Sequence, residues 1–333
     1  MSNPNASDPN YFEKLQAIAA KLKSWNGPIF VAAHEDPDGD AIGSILGCSR
    51  SLKKLGLDAR AVATSPRYLE WLPKVGELLA PFEVLPNDAL ILSVDSAESH
   101  RTVGVPMNQA GIPIINIDHH GSNPRFGEIA LVSPDKAACA LIVQDLVNAL
   151  GVTWDVDIAT PVLTGILTDT GNFRFSNTSA EVLHAAAELM NVGANITEIN
   201  EYLAINPRSY YKLQAEVLST IDYPLEGLLV TAYVNEAMLE RVGATWEEVE
   251  SMIASIRNAE GTQIACIMKD FGDRTKLSLR SKGQASAQNI AIACGGGGHV
   301  AAAGATLMLS FPEAKEKLLF EARKELTRVG LLT

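Results

Sequence analysis

His34-Glu35-Asp36-Pro37-Asp38-Gly39-Asp40 runs on into Ala41-Ile42-Gly43-Ser44. Ahead of it, Pro28-Ile29-Phe30-Val31-Ala32-Ala33 reads as a short apolar strand; behind it, Ile42 to Leu55 carries apolar residues at helical spacing. A histidine and three aspartates are therefore packed into a strand-to-helix turn, where open α/β sheets collect their ligands. Carboxylate oxygens suit hard divalent cations, and imidazole adds a nitrogen for manganese, iron or zinc. Gly39 is expected to let the chain turn tightly between Asp38 and Asp40, with Pro37 fixing the backbone before them. A plainer explanation stands beside this one. Asp40 would serve as a helix N-cap, and Asp-Pro-Asp-Gly is ordinary turn chemistry.

Ligands from elsewhere in the chain weigh the two against each other. Ala89-Leu90-Ile91-Leu92-Ser93-Val94 reads as a buried strand ending on Asp95, and Ile112-Pro113-Ile114-Ile115-Asn116-Ile117 as another ending on Asp118-His119-His120. Asp58 to Thr64 is a further strand, Tyr11 to Trp25 a lead-in helix, and Tyr68 to Leu72 a short helical turn. Ala137 to Leu150 is a helix stopped by Gly151, and Thr160 to Leu167 a helix running into Asp169. Continuous apolar strands alternating with helices predict a parallel sheet covered on both faces. The first, third and fourth strands then each deliver acidic or imidazole groups at the C-terminal end. Asp95 alone could cap a helix, and a lone core histidine is usually just hydrogen-bonded. Their coincidence at equivalent sheet positions points instead to a metal centre. A set of this size is too large for one open catalytic ion and suits two, ~3.5–4 Å apart. Such a pair supports phosphoryl chemistry by lowering the pKa of a bound water and clamping the anionic phosphate.

The rest of the chain sets the frame. Its 333 residues, 47% hydrophobic and 20% charged, suit two domains with proper cores. Glu181 to Asn191 and Ile196 to Leu218 are helical in pattern, with Pro207 breaking the second, and 196–225 reads as a connector. From Gly227 a smaller α+β module is expected: a strand to Val234, a helix from Trp246 to Arg257, and strands over Gln263 to Lys269 and Thr275 to Ser281. A helix from Gln288 to Cys294 then meets the glycine run, with a strand at Leu307 to Leu309 and a closing helix from Pro312 to Val329.

Net charge is −12, with 12 Lys+Arg against 13 Asp+Glu from Glu226 onward and 15 against 26 before it. So acidic a chain is a poor tracker of long nucleic acid, whose affinity comes from neutralising many phosphates. Met1 to Asn10 is polar and lacks the pattern of a signal peptide, and no apolar run is long enough to span a bilayer. Four scattered cysteines, Cys48, Cys139, Cys266 and Cys294, read as reduced thiols, so a cytoplasmic protein without membrane contact is expected.

The combination resembles the DHH phosphoesterase superfamily, named for the tripeptide that stands here as Asp118-His119-His120. Its signatures occur in order: His34…Asp38-Gly39-Asp40, Asp95, Asp118-His119-His120 and Asp169. Gly296-Gly297-Gly298-His299-Val300-Ala301-Ala302-Ala303-Gly304 resembles the DHH-associated domain. Together they cover nearly all the chain after about the first 25 residues. Within the superfamily the chain is most similar to the nanoRNase group, which degrades very short oligoribonucleotides and dephosphorylates 3′-phosphoadenosine 5′-phosphate (pAp).

The resemblance implies a catalytic DHH domain over 1–195 and a substrate-binding domain over 226–333. One metal would be held by His34, Asp38 and Asp95, the other by Asp40, Asp95, His119 and Asp169, with Asp95 bridging. Asp118 would orient an adjacent histidine, and His120 would lie against the scissile phosphate. Manganese is the expected ion, with magnesium or cobalt as alternatives. Asp36, where relatives often carry another residue, is not assigned as a ligand. In the second domain, amides of Gly296, Gly297 and Gly298 can close around an anion, with His299, Arg280 and Lys282 supplying charge. A merely tight glycine turn is the alternative there. Arg174 is a further candidate phosphate contact, or else a partner for a surface carboxylate. With metals in one domain and the phosphate grip in the other, a short RNA or DNA oligonucleotide or pAp would sit between them. The resemblance also leaves room for a homodimer.

The leading expectation is hydrolysis of short RNA to 5′-mononucleotides and of pAp. Cyclic-dinucleotide or linear-dinucleotide hydrolysis is the enzymatic rival. Exonucleases of the RecJ type would want a basic channel, and manganese pyrophosphatases lack such a glycine loop. A non-catalytic nucleotide sensor should have lost a ligand, whereas every expected position is filled.

Overall fold

Apolar runs too continuous for a half-exposed sheet become interior strands, and here they build the first of two units. The structure, a computed structural model, describes Asp8 and residues 10–333. The stretch read as lacking a leader, Met1 to Asn10, lies mostly outside the described residues. Backbone contacts divide the chain into one unit ending at Ile205 and another beginning at Asn206.

The first unit runs α1 (Tyr11–Lys23), β1 (Ile29–Ala32), α2 (Gly39–Lys54), β2 (Ala59–Val62), β3 (Leu78–Leu79) and β4 (Leu90–Val94). It continues through β5 (Ile114–Asp118), β6 (Ile129–Val132), α3 (Cys139–Leu150), α4 (Val156–Asp169), α5 (Ala180–Val192) and α6 (Ile196–Leu203). All six strands are parallel, in the order β3-β2-β1-β4-β5-β6. The chain winds outward from β1 to one edge and from β4 to the other, so β1 and β4 flank the point where the winding reverses. Ligand sites in doubly wound sheets lie outside the strand C-termini at that point.

Successive side chains on a strand face opposite ways. Ile29, Val31, Leu90, Leu92, Ile115 and Ile117 pack against the helices in one core. Phe30, Ala32, Val62 and Ile91 form another with Leu85, Val105 and Ile112. Both faces are covered as expected, but the second by irregular segments between β3 and β5 rather than by helices.

Three local features fix α2. Asp38, not Asp40, is its N-cap, accepting the backbone N–H of Asp40 at 3.0 Å and of Ala41 at 3.1 Å. Gly39, Gly43 and Gly47, spaced four apart, face α4: a Cβ on Gly39 would stand 2.3 Å from Thr168 Cγ2, and one on Gly43 2.3 Å from the Pro161 carbonyl. The expectation that Gly39 serves a tight turn is thus corrected; it serves helix–helix approach. Arg50 ties the same helix outward, to Glu77 through Nε (2.8 Å) and Nη2 (2.6 Å). Its Nη1 donates to the Asp157 carbonyl, which Pro161 inside α4 leaves without an intrahelical donor.

The second unit comprises α7 (Arg208–Ser219), β7 (Leu229–Asn235), α8 (Glu236–Val242), α9 (Ile253–Arg257), β8 (Ile264–Asp270) and β9 (Thr275–Ser281). These are followed by α10 (Ala287–Ala293), β10 (Gly297–Gly298), β11 (Ala302–Leu307) and α11 (Phe311–Arg328). The sheet order is β10-β11-β9-β8-β7, antiparallel except for β7 with β8. One face packs on α10 and α11, the other on α7, α8 and α9. Pro207 does break the long helical stretch, leaving α6 in the first unit and α7 in the second. Trp246–Arg257 is a 3-10 turn over Trp246–Met252 followed by α9, not one helix. The last strand begins at Ala302 rather than Leu307. All four cysteines are buried and free. No helix among the described residues is long and apolar enough to cross a membrane.

Candidate metal centre

The three central strands set the site. His34 follows β1, Asp95 follows β4 and Asp118 closes β5, and these strands are neighbours in the sheet. Asp38 and Asp40 enter through the cap and first turn of α2. Asp169 ends α4, brought alongside Asp40 by the close helix crossing; a Cβ on Gly165 would meet Asp40 Oδ1 at 2.8 Å.

Ligand-type atoms of these residues fall into overlapping groups, within each of which all lie within 4.8 Å of one another: His34, Asp38 and Asp95; Asp40, His119 and Asp169; and Asp95, His119 and His120. Asp95 is the hinge of the arrangement. Its Oδ2 stands 3.5 Å from His34 Nε2, and its Oδ1 stands 3.5 Å from His119 Nε2. Its backbone occupies the left-handed region at φ 50°, a conformation that costs a non-glycine residue about 1–3 kcal/mol and clusters at functional sites. His119 Nε2 also lies 3.4 Å from Asp169 Oδ2 and 3.9 Å from Asp40 Oδ2.

Electrostatics follow from crowding carboxylates in a buried place. Burial and the charge of Asp95 push Asp40 up to about 7. Asp169 is likewise held well above the carboxylate range, by burial and then by Asp40. Burial works against a charged His34, but the hydrogen bond and charge of Asp95 outweigh it and raise the imidazole to about 8. Burial also opposes ionisation of Asp95, yet His119 and His34 hold it well below the usual range. Protons and imidazolium thus balance the acidic cluster, a task a divalent cation would take over. Asp95 Oδ1 and His34 Nδ1 are buried with no hydrogen-bond partner among the described residues. The unpartnered Asp95 oxygen, beside the Nε2 atoms of His34 and His119, makes a carboxylate and imidazole donor set that such cations take, so the residues present fit a metal pair.

Asp118 stands apart from the three groups and is fully buried. Its Oδ1 accepts the His119 backbone N–H at 2.8 Å and lies 2.7 Å from His120 Nδ1, while Oδ2 accepts from Asn123 Nδ2 at 2.7 Å. Asn123 also reaches Asn116 Oδ1 and the Ser96 carbonyl. Asp40 accepts the backbone N–H groups of Cys139 (2.5 Å) and Ala140 (2.8 Å) at the start of α3. Asn116, Asn123 and the start of α3 were not singled out from the sequence. Asn116 carried a faint signal, as the one amide in an apolar strand; the others act through contacts distant in sequence.

Arg174 is exposed and turns its Nε onto the Gly171 carbonyl at 2.8 Å. In the second unit, β10 and β11 form a hairpin closed by His299 N–H on the Ala302 carbonyl at 2.7 Å. The amides of Gly295, Gly296 and His299 are bonded to backbone carbonyls. Gly296 and Gly298 are close-approach positions, where a Cβ would meet the Gly304 carbonyl at 2.0 Å and the Ala302 carbonyl at 2.6 Å. Gly297 and His299 are exposed beside β11, whose Ala302 pairs with Arg280. Burial and Arg257 lower the ammonium of nearby Lys282.

Residues 28–166 match the model for the DHH family, N-terminal domain, and 229–328 the DHHA1 domain. A Thermus thermophilus protein named bifunctional oligoribonuclease and PAP phosphatase NrnA is 50% identical over 98% of this chain and 99% of its own. The chain belongs to the DHH family. Among solved structures, an exopolyphosphatase-related protein from Bacteroides fragilis superposes with a TM-score of 0.84 at 20% identity, covering 96% of this chain and 98% of that one. RecJ from Thermus thermophilus, crystallised with Mn2+, gives 0.58 at 17% identity over 94% of this chain and 55% of its own. At such identities the likeness is one of fold.

Proposed function

We propose that this DHH protein is a manganese-dependent phosphodiesterase and phosphatase, cutting short oligoribonucleotides to 5′-mononucleotides and removing a phosphate from pAp. The observation that carries it is Asp95, which belongs to one ligand set with His34 and Asp38 and to another with His119 and His120, and whose Oδ1 stands 3.5 Å from the His119 Nε2 that the Asp40–His119–Asp169 set also uses. The half-identical Thermus relative bears a name of that activity over its whole length. Manganese is the ion assigned, since mixed imidazole and carboxylate ligation in both sets suits it, with magnesium and cobalt as alternatives.

Two bound cations would supply a hydroxide at neutral pH and neutralise the phosphate oxygens. The chain's residues do the rest. Asp118 fixes the Nδ1 side of His120, so His120 Nε2 is the atom that exchanges a proton with a phosphate or leaving oxygen. Asp118 therefore orients and does not ligate. Arg280, Lys282 and His299, with the open face of Gly297, are assigned to holding a second phosphate of the substrate, and Arg174 is kept as a weaker candidate.

A panel of 5′-labelled dinucleotide, longer RNA, pAp and a cyclic dinucleotide, each with manganese and then with chelator, tests the assignment. Rapid turnover of dinucleotide and pAp, lost with chelator, is expected. Turnover of the cyclic dinucleotide alone would move the protein to the rival activity, and none at all would make it a nucleotide sensor.

A further inference from the structure

The turn between β6 and α3, together with the first residues of α3 and the side chain of Asn177, reaches all three members of one ligand set. His119 Nδ1 lies 3.3 Å from the Lys136 carbonyl, an arrangement that directs Nε2 toward Asp40 and Asp169. Three residues on, the N–H groups of Cys139 and Ala140 hold Asp40. Between them, Asn177 Nδ2 donates to the Ala137 carbonyl at 3.2 Å and to the Asp169 carbonyl at 3.0 Å. No residue of this turn is itself in a ligand set.

The turn is in turn pinned by one side chain. Lys136 Nζ donates to Asp145 on α3 at 3.0 Å and pairs with Glu181 on α5. It sits 5.2 Å from the centre of the Tyr11 ring, whose hydroxyl donates to the same Asp145 carboxylate at 2.6 Å. The Lys136 side chain is only 13% exposed, so its charge is held by these partners rather than by solvent. Three helices, α1, α3 and α5, thereby converge on the residue whose carbonyl faces His119.

We infer that Lys136 and Asn177 are positioning residues for the Asp40–His119–Asp169 cation site and leave the His34–Asp38 side independent. The inference rests on the proposed two-cation centre. Groups that orient ligands this way cost about 10–100-fold in metal affinity when removed. Because both side chains are engaged by groups of the first unit, Lys136 by Asp145 and Glu181 and Asn177 by two backbone carbonyls, their loss should act on the ion and not on substrate affinity.

The test is calorimetric titration of manganese into metal-free full-length protein, for wild type, Lys136→Met, Lys136→Arg and Asn177→Ala, with melting curves alongside. Wild type should take two ions. Lys136→Met and Asn177→Ala should keep one affinity and weaken the other roughly 10–100-fold, while Lys136→Arg retains most of it. Turnover of pAp should fall at limiting manganese, recover at saturating manganese, and keep its KM. Lys315→Met, which removes an exposed pair with Asp222 in the second unit, should change none of these. Unchanged ion affinities in stably folded Lys136→Met and Asn177→Ala, or equal loss at both sites, overturns the inference. Should Lys136→Met not fold, exposed Asn177 carries the decision by itself. A wild type that binds no divalent ion overturns the two-cation reading and this inference with it.

Discussion

Asp118 illustrates how a residue acts without touching a metal. Its two oxygens are engaged by the His119 backbone N–H, the His120 ring and Asn123, so it fixes the His119 backbone and the His120 imidazole at once. Asp118→Asn keeps the shape but sets an NH2 group either against the His119 and His120 side or against the Asn123 amide, each of which requires an acceptor. Activity should drop by roughly 10–100-fold while two manganese ions still bind, as stoichiometry and steady-state rates would show. Asp95→Ala, by contrast, should abolish both turnover and one or both ions. The candidate ligands were legible because each follows a strand or ends a helix, where a carboxylate or imidazole stands out against an apolar run. The orienting groups were not, because Asn123, Asn177 and Lys136 act through backbone carbonyls and partners that no local spacing signals.

At the scale of elements, the crossing of α2 and α4 brings Asp40 to Asp169. Gly43→Ala would drive a Cβ to within 2.3 Å of the Pro161 carbonyl. Overpacking of this kind costs about 1–3 kcal/mol and should widen the crossing, so denaturant unfolding should show lower stability and manganese titration a weakened second site. A second anchor of α2 has a pH signature. Burial alone would raise the Glu77 carboxyl, but the hydrogen bond from Arg50 holds it below its ordinary value. Its contribution is therefore present above about pH 4.3, the free glutamate value, and lost as pH falls through the lower folded one. Glu77→Gln should cost about 1.5–3 kcal/mol at neutral pH, with the gap to wild type closing in acid; unfolding midpoints across pH 3 to 7 check the sign. The strand-to-helix boundary at His34–Asp40 was readable from apolar spacing. Gly39 was visible too, but its purpose was not, since only the partner helix distinguishes close approach from a turn. Short β3 and β6 escaped for another reason, being too brief to show a period, and the Ala-Gly strand β11 because few large apolar residues mark it.

In the molecule as a whole, each unit has its own sheet and its own cores, and the charges divide accordingly. The acidic first unit supplies the candidate ligands. The nearly neutral second unit offers His299, Arg280 and Lys282 around a glycine hairpin. His299→Ala should raise the KM for pAp with both manganese ions retained, and loss of an ion in that variant would contradict the division of labour. Fold class and the pairing of the two modules were legible because strands and helices alternate in the first half and the glycine run is distinctive. The irregular cover on one sheet face was not, because loops carry no period.

Crystals soaked in manganese and measured for anomalous scattering address the site most directly. Two peaks per chain are predicted, ~3.5–4 Å apart, one beside His34 and Asp38, the other beside Asp40, His119 and Asp169, with Asp95 touching both. A single peak, or peaks that leave Asp95 unbound, would contradict the shared-carboxylate centre on which the proposed hydrolysis depends.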